Sequence, residues 1–147
     1  MTQNEKDILL KDLCARLSCG VKVAFLNEDL THHSEPKTLI GIECINNLNY
    51  SRLEDEDGNT TIVEFVKPYL FPISSMTEEQ YYELQNCSSD DCLEHMEVVK
   101  TLRDCTNFTH WPLYEYRVID WFHKNHFDYR GLIEKGLAID ATELNIY

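Results

Sequence analysis

Three soft metal ligands crowd one short stretch: Cys87-x4-Cys92-x2-His95, with Cys105 and His110 further on as a possible fourth. A structural zinc site takes four such ligands, usually as two tight pairs. The second pair is missing here. If a helix starts near Ser89, Cys92 and His95 share its face at i, i+3, but Cys87 must curl back to join them. This set defines the alternative reading, a metal- or small-ligand-binding protein. His123 and His126 form a second i, i+3 pair, beside Asp120 and Asp128. Such a face suits a metal or a general base. Both imidazoles, however, flank the apolar stripe Ile119–Phe122, so histidines at the edge of a core are the favoured account. His32-His33 stands in a polar stretch, where neighbouring side chains diverge.

Nucleophilic chemistry has little to work with. A cysteine nucleophile needs a depressed pKa, and Asp90 and Asp91 oppose thiolate formation at Cys92. No Gly-x-Ser-x-Gly, phosphate-binding loop or dinucleotide fingerprint occurs, and the chain has only 5 Gly. The sequence offers no catalytic residues and no cofactor motif, and the expectation is a protein that is not an enzyme.

Surface chemistry is more pointed. The 147 residues carry 26 acidic against 13 basic side chains, a formal charge of −13. That balance repels phosphate backbones and anionic lipid, which argues against direct nucleic-acid or membrane binding and favours a protein partner with a basic surface. The sharpest acidic feature is Glu54-Asp55-Glu56-Asp57, at a turn marked by Asp57-Gly58. Tyr69 and Phe71, in a proline-punctuated apolar segment, together with Tyr81 and Tyr82, are the aromatic candidates for the same role, with core packing between helices and sheet as their alternative. Tyr114, Tyr116, Trp121, Phe122, Phe127 and Tyr129 lack the positive groove that base-stacking proteins pair with aromatics, and read as core.

The elements that position these residues follow from periodicity. Leu9, Leu13 and Leu17, with Leu10 and Cys14, predict an amphipathic helix over 4–17, with Lys6, Lys11, Asp12 and Arg16 off its apolar stripe and Gly20 closing it. Val21–Phe25, Leu39–Ile45, a weaker run 48–53 and Thr60–Val66 have strand character; the last is the clearest. Pro68 and Pro72 take the chain out of the sheet. Thr77-x-x-Gln80 has capping-box spacing and opens a helix to about Gln85. Further helices are expected from Ser89 to about Arg103, from Pro112 through Phe122, and from Asp128 to a Schellman turn at Gly136, with Leu132 and Leu137 in contact. The expected fold is α+β: an N-terminal helix, a small antiparallel sheet or SH3-like barrel, then three or four C-terminal helices. It forms a single domain, 1–147, with 1–19 a helix, 20–73 β-rich and 74–147 helical.

Composition agrees with a globular chain, 43% hydrophobic and 27% charged. Met-Thr-Gln-Asn-Glu-Lys is not an apolar signal segment, and no run approaches the ~18 apolar residues of a membrane span. A cytoplasmic location is expected, with the 6 Cys reduced and mostly buried.

The runs Val66–Glu79 and Val118–Ala138, including Val66-Lys67-Pro68-Tyr69-Leu70 and Phe127-Asp128-Tyr129-Arg130-Gly131-Leu132-Ile133-Glu134-Lys135-Gly136-Leu137-Ala138, are distinctive. In both, and in the order of its elements, the chain resembles a family of small proteins with no established activity that recurs in gut Bacteroidales genomes and in their phages and prophages. The tail Asp140-Ala141-Thr142-Glu143 departs from that family's Pro/Gly-containing end. The resemblance carries over no catalytic residue. It implies a phage or mobile-element setting, and with it a binder of a host or defence factor.

Overall fold

The computed structural model describes residues 1–27, 35–45, 50–87 and 116–147. The expected helix over 89–103, the opening of another at Pro112 and the His32-His33 stretch lie outside the described residues. Among those described, the chain is mixed α+β: helix α1 (Gln3–Arg16), strands β1 (Lys22–Phe25), β2 (Lys37–Ile45), β3 (Tyr50–Asp55), β4 (Thr60–Ile62) and β5 (Val66–Leu70), helices α2 (Glu78–Cys87) and α3 (Tyr116–Lys124), and strand β6 (Ile139–Asp140). The strands form one sheet in the order β4-β3-β2-β1-β5-β6, antiparallel except for the parallel β5–β6 pair.

This order forces the sheet to curl. In a flat sheet, β4 and β5 would be about 19 Å apart, four steps of about 4.8 Å. The three residues joining them, Val63–Phe65, form a 3-10 turn that advances only about 6 Å. The sheet must therefore bend its β4 edge towards β5. The turn also corrects the single long strand expected over 60–66. Val63 and Val66 are both buried, 2% and 0% exposed. A three-residue interval puts two side chains on one side of a 3-10 turn but on opposite sides of a strand.

Pro68 likewise stays inside the sheet rather than leading out of it, pairing opposite Val23. The strand on its outer side, β6, pairs only at Tyr69 and Leu70, so the missing N–H falls beside an unpaired position. Residues 139–140 thus return to the sheet from a region expected to be wholly helical. Ile40 is the extra residue of a bulge, since Leu39 faces Asp55 and Gly41 faces Glu54.

One core joins α1 to the inner face of the sheet through Leu9, Leu13, Val21, Val23, Leu39, Leu53, Val66 and Leu70. A second, Leu84, Val118, Trp121, Phe122, Phe127 and Tyr129, holds α2 on α3. Burying each such side chain contributes about 1.5–3 kcal/mol. The capping box at Thr77 forms, the Thr77 N–H donating to Gln80 Oε1 (2.9 Å) and the Gln80 N–H to Thr77 Oγ1 (3.2 Å). Gly20 closes the first helical segment at φ 69°.

The last expected helix, from Asp128, is a set of tight turns instead. The Asp128 carboxylate accepts from the Leu132 and Ile133 N–H groups, both at 2.8 Å, too far along the chain for an ordinary N-cap. The Schellman pattern at its far end is present: Leu137 N–H donates to Leu132 C=O, Gly136 N–H to Ile133 C=O, and Gly136 has φ 69°.

Candidate functional site

The acidic hairpin is built more for structure than its sequence suggests. Asp55 is 1% exposed. Its carboxylate accepts from the Asp57 N–H, the Asn59 N–H and Asn59 Nδ2, at 3.0, 2.9 and 3.0 Å. It thereby organises a three-residue loop with Gly58 at φ 80°. Glu56 accepts from the Thr38 N–H and hydroxyl (2.9 and 2.8 Å) and faces Lys22 at 3.5 Å. The bonds from Thr38 hold its carboxyl below the usual range. Asp57 pairs with Lys37 at 2.7 Å, and its carboxylate raises the Lys37 ammonium above its ordinary value. Of the four acids, Glu54 alone carries no ion pair or side-chain hydrogen bond among the described residues.

Tyr69 is 5% exposed and packs with Ala24 and Ala141; Phe71 is half-buried against the α2–α3 core. The aromatics that reach solvent are Tyr82 on α2 and Tyr116 on α3, 61% and 58% exposed. Nothing in the periodicity around Tyr81-Tyr82 marks Tyr82 as the outward one until Leu84 fixes which face of α2 turns inward. Glu78, Glu79 and Glu83 are exposed on α2 with Tyr82, and this helix carries no basic side chain. The outward stripe of α3 is mixed: Tyr116, Arg117, Asp120 and Lys124.

The metal-ligand set is only partly in view. Cys87 is half-buried against the α2–α3 core, whereas Cys92, His95, Cys105 and His110 lie outside the described residues. Among those described, no three His, Cys, Asp or Glu side chains lie close enough to share a metal ion. Cys14, Cys19 and Cys87 form no disulfide there, and Cys14 is exposed rather than buried.

Sequence periodicity missed a buried polar cluster linking α1 to the turn after α3. Asp12 and Arg16, expected off the core stripe, are both 0% exposed. Arg16 donates to Asp12 Oδ2 (2.7 Å) and Oδ1 (3.3 Å), to the Phe127 C=O (2.8 Å) and to the Phe122 C=O (3.2 Å). Arg130 reaches the same carboxylate at 3.1 Å and lies over the Tyr129 ring. The Tyr129 hydroxyl meets His123 Nε2 at 2.8 Å. Burial, aided by Arg16, lowers the His123 pKa to about 4, and burial pushes Tyr129 up to about 12. At neutral pH the cluster therefore holds a neutral imidazole, a neutral phenol and an ion triad of one carboxylate between two guanidiniums. Its chemistry is that of a brace, with Asp12 and Arg16 wholly buried and Arg130 at its edge 26% exposed. The one signal in the sequence is the i, i+4 spacing of Asp12 and Arg16, which reads equally well as a surface pair.

A shallow groove of about 600 Å³ between the Pro72–Ser75 turn and Asp140–Leu144 is open to solvent. Asp140 there is occupied by the Thr142 N–H and hydroxyl, at 2.9 and 2.6 Å. No described helix is long and apolar enough to cross a membrane. Comparisons with protein-family models, with curated proteins and with solved structures find no match.

Proposed function

We propose that the protein is a non-enzymatic interaction module that binds a partner protein with a basic surface. The observation that carries the reading is the outward face of α2, where Tyr82 is 61% exposed among Glu78, Glu79 and Glu83. An exposed tyrosine ringed by acids combines a large, stiff contact surface with charge that steers a cationic partner. The excess of 26 acids over 13 bases adds the long-range field. It also disfavours nucleic acid as the direct ligand. The phage and prophage resemblance makes a host or defence factor the expected partner. The hairpin contributes through Glu54, since Asp55, Glu56 and Asp57 already serve the fold.

The test is purification of the tagged protein from a Bacteroidales host at physiological salt, with the co-purifying partner identified by mass spectrometry and its affinity then measured. Tyr82→Ala should weaken binding about 30-fold, the loss of a typical interface anchor. Reversing Glu78, Glu79 and Glu83 to Lys should slow association and flatten its salt dependence. A partner bound with wild-type affinity by both variants would remove α2 as the site.

A further inference from the structure

His126 is the least comfortable residue in the described chain. It is the only non-glycine residue there with a positive φ, 58°. It is 8% exposed, and its Nδ1 finds no hydrogen-bond partner among the described residues. A buried polar atom left in this state costs about 1–3 kcal/mol. The covering group is Tyr147, whose ring stacks on the imidazole with centroids 3.9 Å apart and planes 15° from parallel. Tyr147 also leans on Phe71 at 5.7 Å. Its hydroxyl donates to the Tyr69 C=O (2.8 Å) and accepts from the Lys22 N–H (3.0 Å).

The segment carrying Tyr147 is held at a few points, among them Ala141, 0% exposed, and Ile139 and Ile146, which pack against the cluster of Ala24, Tyr69 and Ala141. Strand β6 contributes two residues, followed by the Ala141 N–H bond to the Leu70 C=O at 2.9 Å. Thr142, Glu143, Leu144 and Asn145 are exposed. Within 142–147 the anchors are Ile146, half-buried against Ala24, Tyr69 and Ala141, and the ring of Tyr147, itself 43% exposed.

We propose that residues 139–147 form a latch on the outer edge of β5, closed by Tyr147 over neutral His126 and opened when His126 takes up a proton.

The surroundings of the imidazole set the sign. From α1 it feels the Arg16 guanidinium, already paired with Asp12. From the end of α3 comes His123, engaged by Tyr129. Asp128 in the same turn spends its carboxylate on the Leu132 and Ile133 N–H groups. From the tail comes the neutral phenol of Tyr147, whose pKa burial raises. From β1, Lys22 presents its backbone N–H to Tyr147 while its ammonium faces Thr38 and Glu56. Nδ1 has no hydrogen-bond partner among the described residues to stabilise an imidazolium, and Arg16 repels the charge. Burial first, then Arg16, lowers the closed-state pKa of His126 to about 4. Once the tail lifts, water reaches the ring, the burial that dominates the shift is relieved, and the pKa moves back towards its ordinary value near 6.5. The open form thus binds the proton more tightly, and opening is favoured as pH falls below about 6.5, saturating near 4. Between pH 7.5 and pH 5 the opening equilibrium rises about 30-fold.

Two measurements on the whole chain decide the matter. In an NMR titration, the His126 ring of the wild type should titrate near 4, and in Tyr147→Ala near 6.5. A wild-type value near 6.5, or a value in Tyr147→Ala still near 4, would overturn the latch. Hydrogen exchange of the Ala141, Leu144 and Ile146 amides, corrected for intrinsic rates, should speed up about 30-fold from pH 7.5 to pH 5, with α1 amides still protected. His126→Phe keeps a stacking ring without a titrating nitrogen and should abolish that response. If its tail responds to pH as the wild type does, the proposal fails. His126→Asn tolerates the positive φ and provides the same test should the Phe variant fold poorly.

Discussion

Replacing Arg16 with methionine tests the account of the buried cluster most directly. The substitution keeps the length and apolar stem of the side chain while removing the guanidinium. Asp12, 0% exposed, would keep among the described residues only Arg130, a partner at 3.1 Å whose own side chain is 26% exposed. The two carbonyls that Arg16 serves do not become orphans, because Phe122 C=O also accepts from the Phe127 N–H and Phe127 C=O from the Tyr129 N–H. The loss is therefore dominated by a half-compensated buried carboxylate. Breaking a buried pair from one side costs about 3–5 kcal/mol, a large part of the roughly 5–15 kcal/mol that holds a domain together. At about 2–4 °C per kcal/mol for a chain of this size, the Tm should fall by about 10 °C. Equilibrium unfolding in urea should show the lowered midpoint with an unchanged slope. Asp12→Leu combined with Arg16→Met removes both charges, and should cost clearly less than the sum of the two single changes. The reasoning is refuted if Arg16→Met lies within about 1 kcal/mol of wild type, or if the single losses simply add.

Asp55→Ala should destabilise by about 1.5–3 kcal/mol, the value of charge-assisted bonds lost at the hairpin, while Glu54→Lys should leave the thermal midpoint unchanged within scatter. Gly136→Ala meets no atom within 4 Å of its new Cβ, so its cost is the backbone term alone, about 1–2 kcal/mol at positive φ, read from the same melts. Acid should destabilise the fold below pH 6.5. His123 is neutral in the folded state, with a pKa of about 4, so the unfolded chain gains protons first. At pH 5 this costs at most about 2 kcal/mol from His123, and His123→Gln should flatten the pH dependence of the urea midpoint.

Local chemistry was legible wherever it depends on a few neighbouring residues. The capping box at Thr77, the turn at Gly58 and the Schellman bonds around Gly136 all form from the side chains that announce them. What local pattern could not reveal is where a segment goes next. Val63 and Val66 look like one strand with Thr60–Ile62 until the sheet's curl requires a tight turn between its edges. Pro68 looks like an exit because a single sequence does not show that its outer neighbour is only two residues long. Asp12 and Arg16 look solvated because helical periodicity counts charges as surface, while 106 and 111 residues separate Arg16 from the carbonyls that neutralise it.

The same distinction governs the candidate sites. Four consecutive acids look like a docking surface, yet three of them are occupied by Thr38, Lys22, Lys37 and Asn59. An acidic run in sequence records charge but not whether that charge has partners. On α2 the surface residues are one helical turn apart, and Leu84 directs that face away from the core, so its acids and Tyr82 face solvent together. A partner that chooses between these two surfaces by charge should therefore prefer α2. Single reversals at Glu79 or Glu83 should weaken association more than reversal at Asp57, once the stability lost with the Lys37 pair is taken into account.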